Sequence, residues 1–130
     1  MSHGAAHYEQ LVHDYFAAVE RGDLDAVLAC FTEDAVFRVS YNPEPVVGRE
    51  ALRGFFAGVV ERMRNRREVA TRILVDGDRG ISELVFDAET ADGRPLHFEN
   101  CNAYVFRDGL FAEVTVYGDS VTMKRQLGVG

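Results

Sequence analysis

A chain of 130 residues is one domain by length and buries roughly two-thirds of its unfolded surface on folding, room for both a core and a cavity. With 47% hydrophobic and 27% charged residues it falls outside the disordered class, and no apolar run approaches the ~18 residues of a membrane span. The net charge of −7 excludes a phosphate-backbone partner, which calls for a basic face, so nucleic acid is not expected.

The first six residues, MSHGAA, are small and polar and are expected to fray. From His7 to Glu20 the set Tyr8, Leu11, Val12, Tyr15, Phe16 and Val19 follows the i, i+3, i+4 stripe of an amphipathic helix, which Gly22 stops. Asp23 is a good N-cap for a second helix carrying Leu24, Val27, Leu28 and Phe31, ending before TED. AVFRVSY at 35–41 alternates as a strand does, and NPEP breaks it into a loop. A third helix runs from Arg49 to about Arg64, with Arg62, Arg64, Arg66 and Arg67 expected as its solvated, dipole-favoured end.

Beyond residue 68 the pattern is all strand: EVATRILVD, GISELVFDAET, PLHFENCNAYVF and LFAEVTVYGD, separated by GD, ADGR and RDG turns. Helices first and strands later predict an α+β domain over 1–130, three N-terminal helices packed in a strongly curved, mostly antiparallel sheet. Cys30 and Cys101 have no CxxC spacing and no signal peptide ahead of them, so they are expected as free thiols in a reducing cytoplasm.

In the longest strand Leu96, Phe98, Asn100, Asn102, Tyr104 and Phe106 share one face, and His97, Glu99, Cys101, Ala103 and Val105 share the other. The first set is assigned to the concave side, with Val114, Val116, Leu84 and Phe86 from neighbouring strands. Two amides on an apolar wall cost free energy unless they meet partners, so Asn100 and Asn102 either satisfy each other or meet a ligand. Tyr15 is either a core tyrosine bonded to a carbonyl or a donor into the same space. Asp119, after YG near the cone's mouth, is either a turn or cap residue or a catalytic acid. His13 falls on the polar side of the first helix. No inward His or carboxylate pair recurs at ligand spacing, so no metal is expected, and no cofactor is implied.

The passage YFAAVERGDLDAVLACFTEDAVFRVSYNPEPVVGREALRGFF, with the closing FRDG…EVTVYG hairpin, resembles the steroid delta-isomerase branch of the nuclear transport factor 2-like superfamily. That superfamily also holds SnoaL-like polyketide cyclases, limonene epoxide hydrolases and scytalone dehydratase. The resemblance implies a cone-shaped α+β barrel, an apolar pocket open at one end, and a homodimer through the outer sheet face. Steroid isomerases, the standard example of this chemistry, pair a strand carboxylate that moves a proton with an oxyanion hole of a helix Tyr and a protonated Asp. Carried onto this chain, the Tyr matches Tyr15, the base falls on Val39 and the second acid on Asn102. The inward Asp of epoxide hydrolases and cyclases falls on Val116. Scytalone dehydratase has a strand Asn that aligns with Asn102, but its histidines find no match, since His97 faces outward.

What the resemblance leaves is a hydrogen-bonding pocket without a general base: Tyr15, Asn102 and Asp119 as candidate catalytic groups, and Asn100, Val39, Tyr41, Phe56, Phe86 and Val116 as candidate substrate contacts. The expected function is a cofactor-independent isomerase or lyase of a small apolar carbonyl or polyketide-like molecule, working by oxyanion stabilisation to isomerise, dehydrate or cyclise it. The competing expectation is a noncatalytic ligand-binding or dimeric interaction module that kept the cone and lost the acids. Retained Tyr15 and the paired amides favour the first, and valine at 39 and 116 favours the second.

Overall fold

The structure, a computed structural model, describes residues 3–128. Helix α1 (Ala5–Arg21) buries Tyr8, Leu11, Val12, Tyr15, Phe16 and Val19 as the stripe predicts, and it ends on Gly22 at φ 70°. Its start is earlier than expected: Ala5 and Ala6 are helical, while residues 1 and 2 lie outside the described residues. Asp23 caps α2 (Leu24–Leu28), its carboxylate accepting the Ala26 N–H at 3.1 Å.

Three sequence boundaries move. Helix α2 stops at Leu28, and Phe31 opens strand β1 (Phe31–Val39), so TED belongs to a strand. NPEP is no loop: it starts β2 (Asn42–Val47), which pairs antiparallel with β1, and its prolines are tolerated because β2 is the edge of the sheet. Helix α3 (Arg49–Arg62) gives way directly to β3 (Arg64–Asp76), so Arg64, Arg66 and Arg67 are strand residues.

Arg66 is not a solvated helix end. Its guanidinium donates to the carbonyls of Val19 (2.8 Å) and Glu20 (3.3 Å) at the end of α1, and of Val60 (3.2 Å) and Met63 (2.7 Å) at the end of α3. One side chain thereby supplies donors to carbonyls at the ends of two helices, where intrahelical donors run out, although the Val19 carbonyl also accepts the Gly22 N–H at 3.1 Å.

Strands β4 (Arg79–Glu89), β5 (Pro95–Arg107) and β6 (Leu110–Tyr117) complete a six-stranded sheet of order β2-β1-β6-β5-β4-β3. All neighbours are antiparallel except β1 and β6, which run parallel. Its concave face wraps the helices around one core in which Phe31, Phe56 and Phe111 meet Tyr15 edge to face and Phe37 packs on Phe31 and Phe56. A fourth helix missing from the sequence reading, α4 (Ser120–Leu127), buries Met123 and lies against β5. Gln126 fixes it there, accepting the His97 N–H at 2.8 Å and donating to the His97 carbonyl at 3.0 Å. No helix among the described residues is long and apolar enough to cross a membrane.

Candidate active site

The alternation along β5 holds as read: Leu96, Phe98, Asn102, Tyr104 and Phe106 are buried, and His97 and Glu99 face outward. Ladder pairing sets Asn102 between Ser82 on β4 and Val116 on β6, and Val116 beside Val39 on β1. These four residues form one line across the floor of the cone. Above it the helices supply Tyr15, Phe55, Phe56 and Val59, which border a partly open cavity of about 90 Å³. Every proposed contact, Asn100, Val39, Tyr41, Phe56, Phe86 and Val116, lines it together with Tyr15 and Asn102.

The Tyr15 hydroxyl has no hydrogen-bond partner among the described residues, which removes the reading of a core tyrosine bonded to a carbonyl. Burial, and next the charge of Glu68, push its pKa well above the usual phenol value, so it is a neutral donor. The amides do not form a ladder with each other. Asn102 instead joins a buried chain, its Nδ2 donating to the Tyr104 hydroxyl at 3.2 Å, which meets Ser82 Oγ at 2.6 Å. Its Oδ1 is buried without a partner. Because a tyrosine hydroxyl both donates and accepts, turning the amide over preserves the chain and exposes Nδ2 instead. Asn102 therefore offers the cavity one free amide atom, acceptor or donor.

Asp119 is placed otherwise than among catalytic groups. It is the N-cap of α4, accepting from Val121 N–H and Thr122 N–H at 3.1 Å and from Thr122 Oγ1 at 2.7 Å, and these bonds hold its pKa below the usual carboxylate value. It borders an outer groove between β5 and α4, not the cavity. Asn100, Phe98 and Met123 form the partition between the two spaces.

The residue that the sequence reading missed is Glu68 on β3. It lies opposite Phe86, which lies opposite Phe98, so its side chain enters the cavity from the third strand along. The residue as a whole is half-buried, yet its Oε1 is closed off from solvent and unpartnered. That oxygen, not the residue average, sets the cost of ionisation. Burial, then the nearby Glu20 carboxylate, push the pKa up to about 8. The valine at 39 thus does not leave the cavity without a titratable carboxyl. Among the described residues no group of three His, Cys, Asp or Glu is assembled for a metal, and both cysteines are free.

Residues 12–114 match the family model described as the SnoaL-like domain. The chain belongs to the SnoaL-like family. Solved structures agree on the fold. A putative polyketide cyclase from Xanthomonas campestris pv. campestris is 26% identical, with 94% of this chain and 97% of that one covered at a TM-score of 0.77. TsrD from Streptomyces laurentii is 23% identical over 98% and 99% at 0.82, and an LEH-like epoxide hydrolase of M. tuberculosis is 19% identical over 94% and 90% at 0.80. The cone expected from the sequence is therefore the SnoaL-like, ketosteroid isomerase-like cone, with its sheet left unclosed between β2 and β3.

Proposed function

We propose that this SnoaL-like protein is a cofactor-independent enzyme that isomerises, dehydrates or cyclises a small, neutral, largely apolar carbonyl compound, holding its developing oxyanion with Tyr15 and Asn102. The observation that carries this reading is that Tyr15 and Asn102 line one aromatic cavity, the Tyr15 hydroxyl with no protein hydrogen bond among the described residues and the Asn102 Oδ1 buried without a partner. A purely structural core pairs its buried polar groups, since an unpaired one costs about 1–3 kcal/mol. Neutral donors fixed in a largely apolar cavity are suited to a charge that appears only during reaction, because they need no reorganisation then. Structural neighbours named as a putative polyketide cyclase and an LEH-like epoxide hydrolase support a catalytic use of this cone, and TerC co-crystallised with polyporic acid supports occupancy by a small organic ligand.

The test is binding of 4-nitrophenol, followed by its absorbance shift, together with conversion of cyclohex-3-en-1-one to the conjugated enone. Binding that weakens in Tyr15→Phe and Asn102→Leu, with turnover above buffer in the wild type, is the expected result. Binding without turnover of any carbonyl probe would favour the noncatalytic module.

The outer sheet face, carrying His97, Glu99, Cys101, Ala103, Val105, Thr115 and Tyr117, is proposed as the seat of a two-fold homodimer. Support comes from its mixed polarity and from Tyr117, a large side chain left 56% exposed at its edge.

A further inference from the structure

We propose that Glu68 is the proton-carrying carboxyl of the cavity, and that the compound it acts on is a single-ring neutral ketone with an enolisable C–H. This rests on the reading of the cavity as a reaction site, and adds to it the group that reading lacked.

The geometry comes first. Among the described residues Glu68 is the only carboxyl that lines the cavity, and its unpartnered Oε1 is closed off from bulk solvent. Its surroundings are fixed from every side. From α1, Glu20 accepts the Glu68 backbone N–H at 2.7 Å, and the Tyr15 phenol lies within reach of the carboxyl's charge. From β5 the Tyr104 phenol also feels that charge, and from β4 Phe86 stands directly opposite. Arg66, two residues earlier on β3, is committed to four backbone carbonyls. No cation therefore pairs with Glu68 among the described residues, and its neutral form predominates at neutral pH.

Ligand class follows from the same wall. Among the described residues no Lys, Arg or His lines the cavity, so a carboxylate or phosphate entering it would find no counter-charge there, and a like charge once Glu68 ionises. Its volume of about 90 Å³ between Phe37, Phe56, Phe86 and Phe98 suits one ring.

The step balances with these groups alone. The ionised Glu68 takes a proton from the carbon beside the carbonyl. The C–H pair becomes the enolate double bond, and the carbonyl π pair moves to oxygen, where Tyr15 and the Asn102 amide donate. The Glu68 carboxyl then returns the proton to the same carbon, which regenerates the ketone with its hydrogen exchanged, or, where the ketone is β,γ-unsaturated, to the vinylogous carbon, which leaves the double bond shifted into conjugation; neither changes the oxidation state. With one carboxyl performing both transfers, they occur on one face of the ring.

The experiment follows hydrogen–deuterium exchange beside the carbonyl of cyclohexanone in D₂O by NMR, with 4-nitrophenol binding measured on the same samples. Wild-type exchange should exceed buffer, rise with pH and level off above about pH 8, as the base form accumulates. Glu68→Gln should lose about 100-fold or more, the usual range for a general acid–base group, while keeping 4-nitrophenol binding. Glu68→Asp should retain part of the rate. Exchange by Glu68→Gln at the wild-type rate overturns the proposal, as does wild-type protein that binds 4-nitrophenol yet exchanges no faster than buffer. Wild type that fails to bind 4-nitrophenol defeats the site reading itself, and this proposal with it.

Discussion

The Glu20 carboxylate accepts the backbone N–H of Glu68 at 2.7 Å, which brings a second carboxyl to the shoulder of the one that enters the cavity. Both burial and this neighbour raise the Glu68 pKa in the folded protein, to about 8 from an ordinary 4.5. Between those values the unfolded chain has lost the proton and the folded one keeps it, so stability falls as pH rises from about 4.5 to about 8 and is level beyond. A few kcal/mol is at stake, at about 1.4 kcal/mol per pH unit of separation. Thermal melts should give a lower Tm at pH 8.5 than at pH 6 for the wild type, and a much flatter dependence for Glu68→Gln. An unchanged slope in that variant would assign the pH dependence elsewhere.

Tyr15→Phe separates a donor from a packing ring. The phenyl keeps the edge-to-face contacts with Phe31, Phe56 and Phe111 and removes only the unpartnered hydroxyl. Affinity for 4-nitrophenol should drop about tenfold, the worth of one hydrogen bond, with Tm unchanged or raised. A large fall in Tm at constant affinity would place the hydroxyl in the core after all.

Arg66→Met should destabilise the protein strongly, because it removes the side-chain donor from the carbonyls of Glu20, Val60 and Met63 together, while Val19 keeps the Gly22 N–H. A loss of about 3 kcal/mol, roughly 10 °C in Tm, follows from the cost of leaving such groups unpaired. Arg66→Lys should rescue little, since an ammonium cannot spread its donors over two helix ends as a guanidinium fork does. Full stability of the Lys variant would refute that argument.

For the outer face, Ala103→Arg places a charge at the centre of the proposed two-fold contact while leaving the concave wall alone. Light scattering should report a dimer for the wild type at micromolar concentration and a monomer for the variant. A wild-type monomer ends the proposal.

How far the site was legible depended on strand parity. On β5 no irregularity intervenes between Leu96 and Tyr104, so alternation alone put Asn102 inward. On β3 it does not suffice. Counting back from the Asp76–Arg79 turn at constant register would set Val69 opposite Phe86 and turn Glu68 outward. A bulge between Ala70 and Arg72 adds the unpaired Thr71 and exchanges the faces beyond it, leaving Val69 52% exposed and Glu68 in the cavity. A bulge carries no composition cue here, which is why the carboxyl was invisible. Arg66 was hidden for a related reason. Four arginines in a row of polar residues read as one solvated run, and only the meeting of two helix ends distinguishes one of them. The edge strand β2 was lost to its prolines, which argue against a central strand but not against an outer one.

The parallel seam of β1 and β6 has a consequence for how the chain reaches this state. Val36 to Val39 find their partners, Glu113 to Val116, only in the last strand to be made. Until then β1 has β2 on one side and a bare row of peptide groups on the other, in a stretch rich in β-branched and aromatic side chains. Such long-range closure is slow, and the nascent chain carries an aggregation-prone edge through most of its synthesis. The cavity wall is finished later still, when Met123 and Leu127 of α4 follow Val116 in the chain, so the space a small molecule would fill exists only once nearly the whole chain has been made.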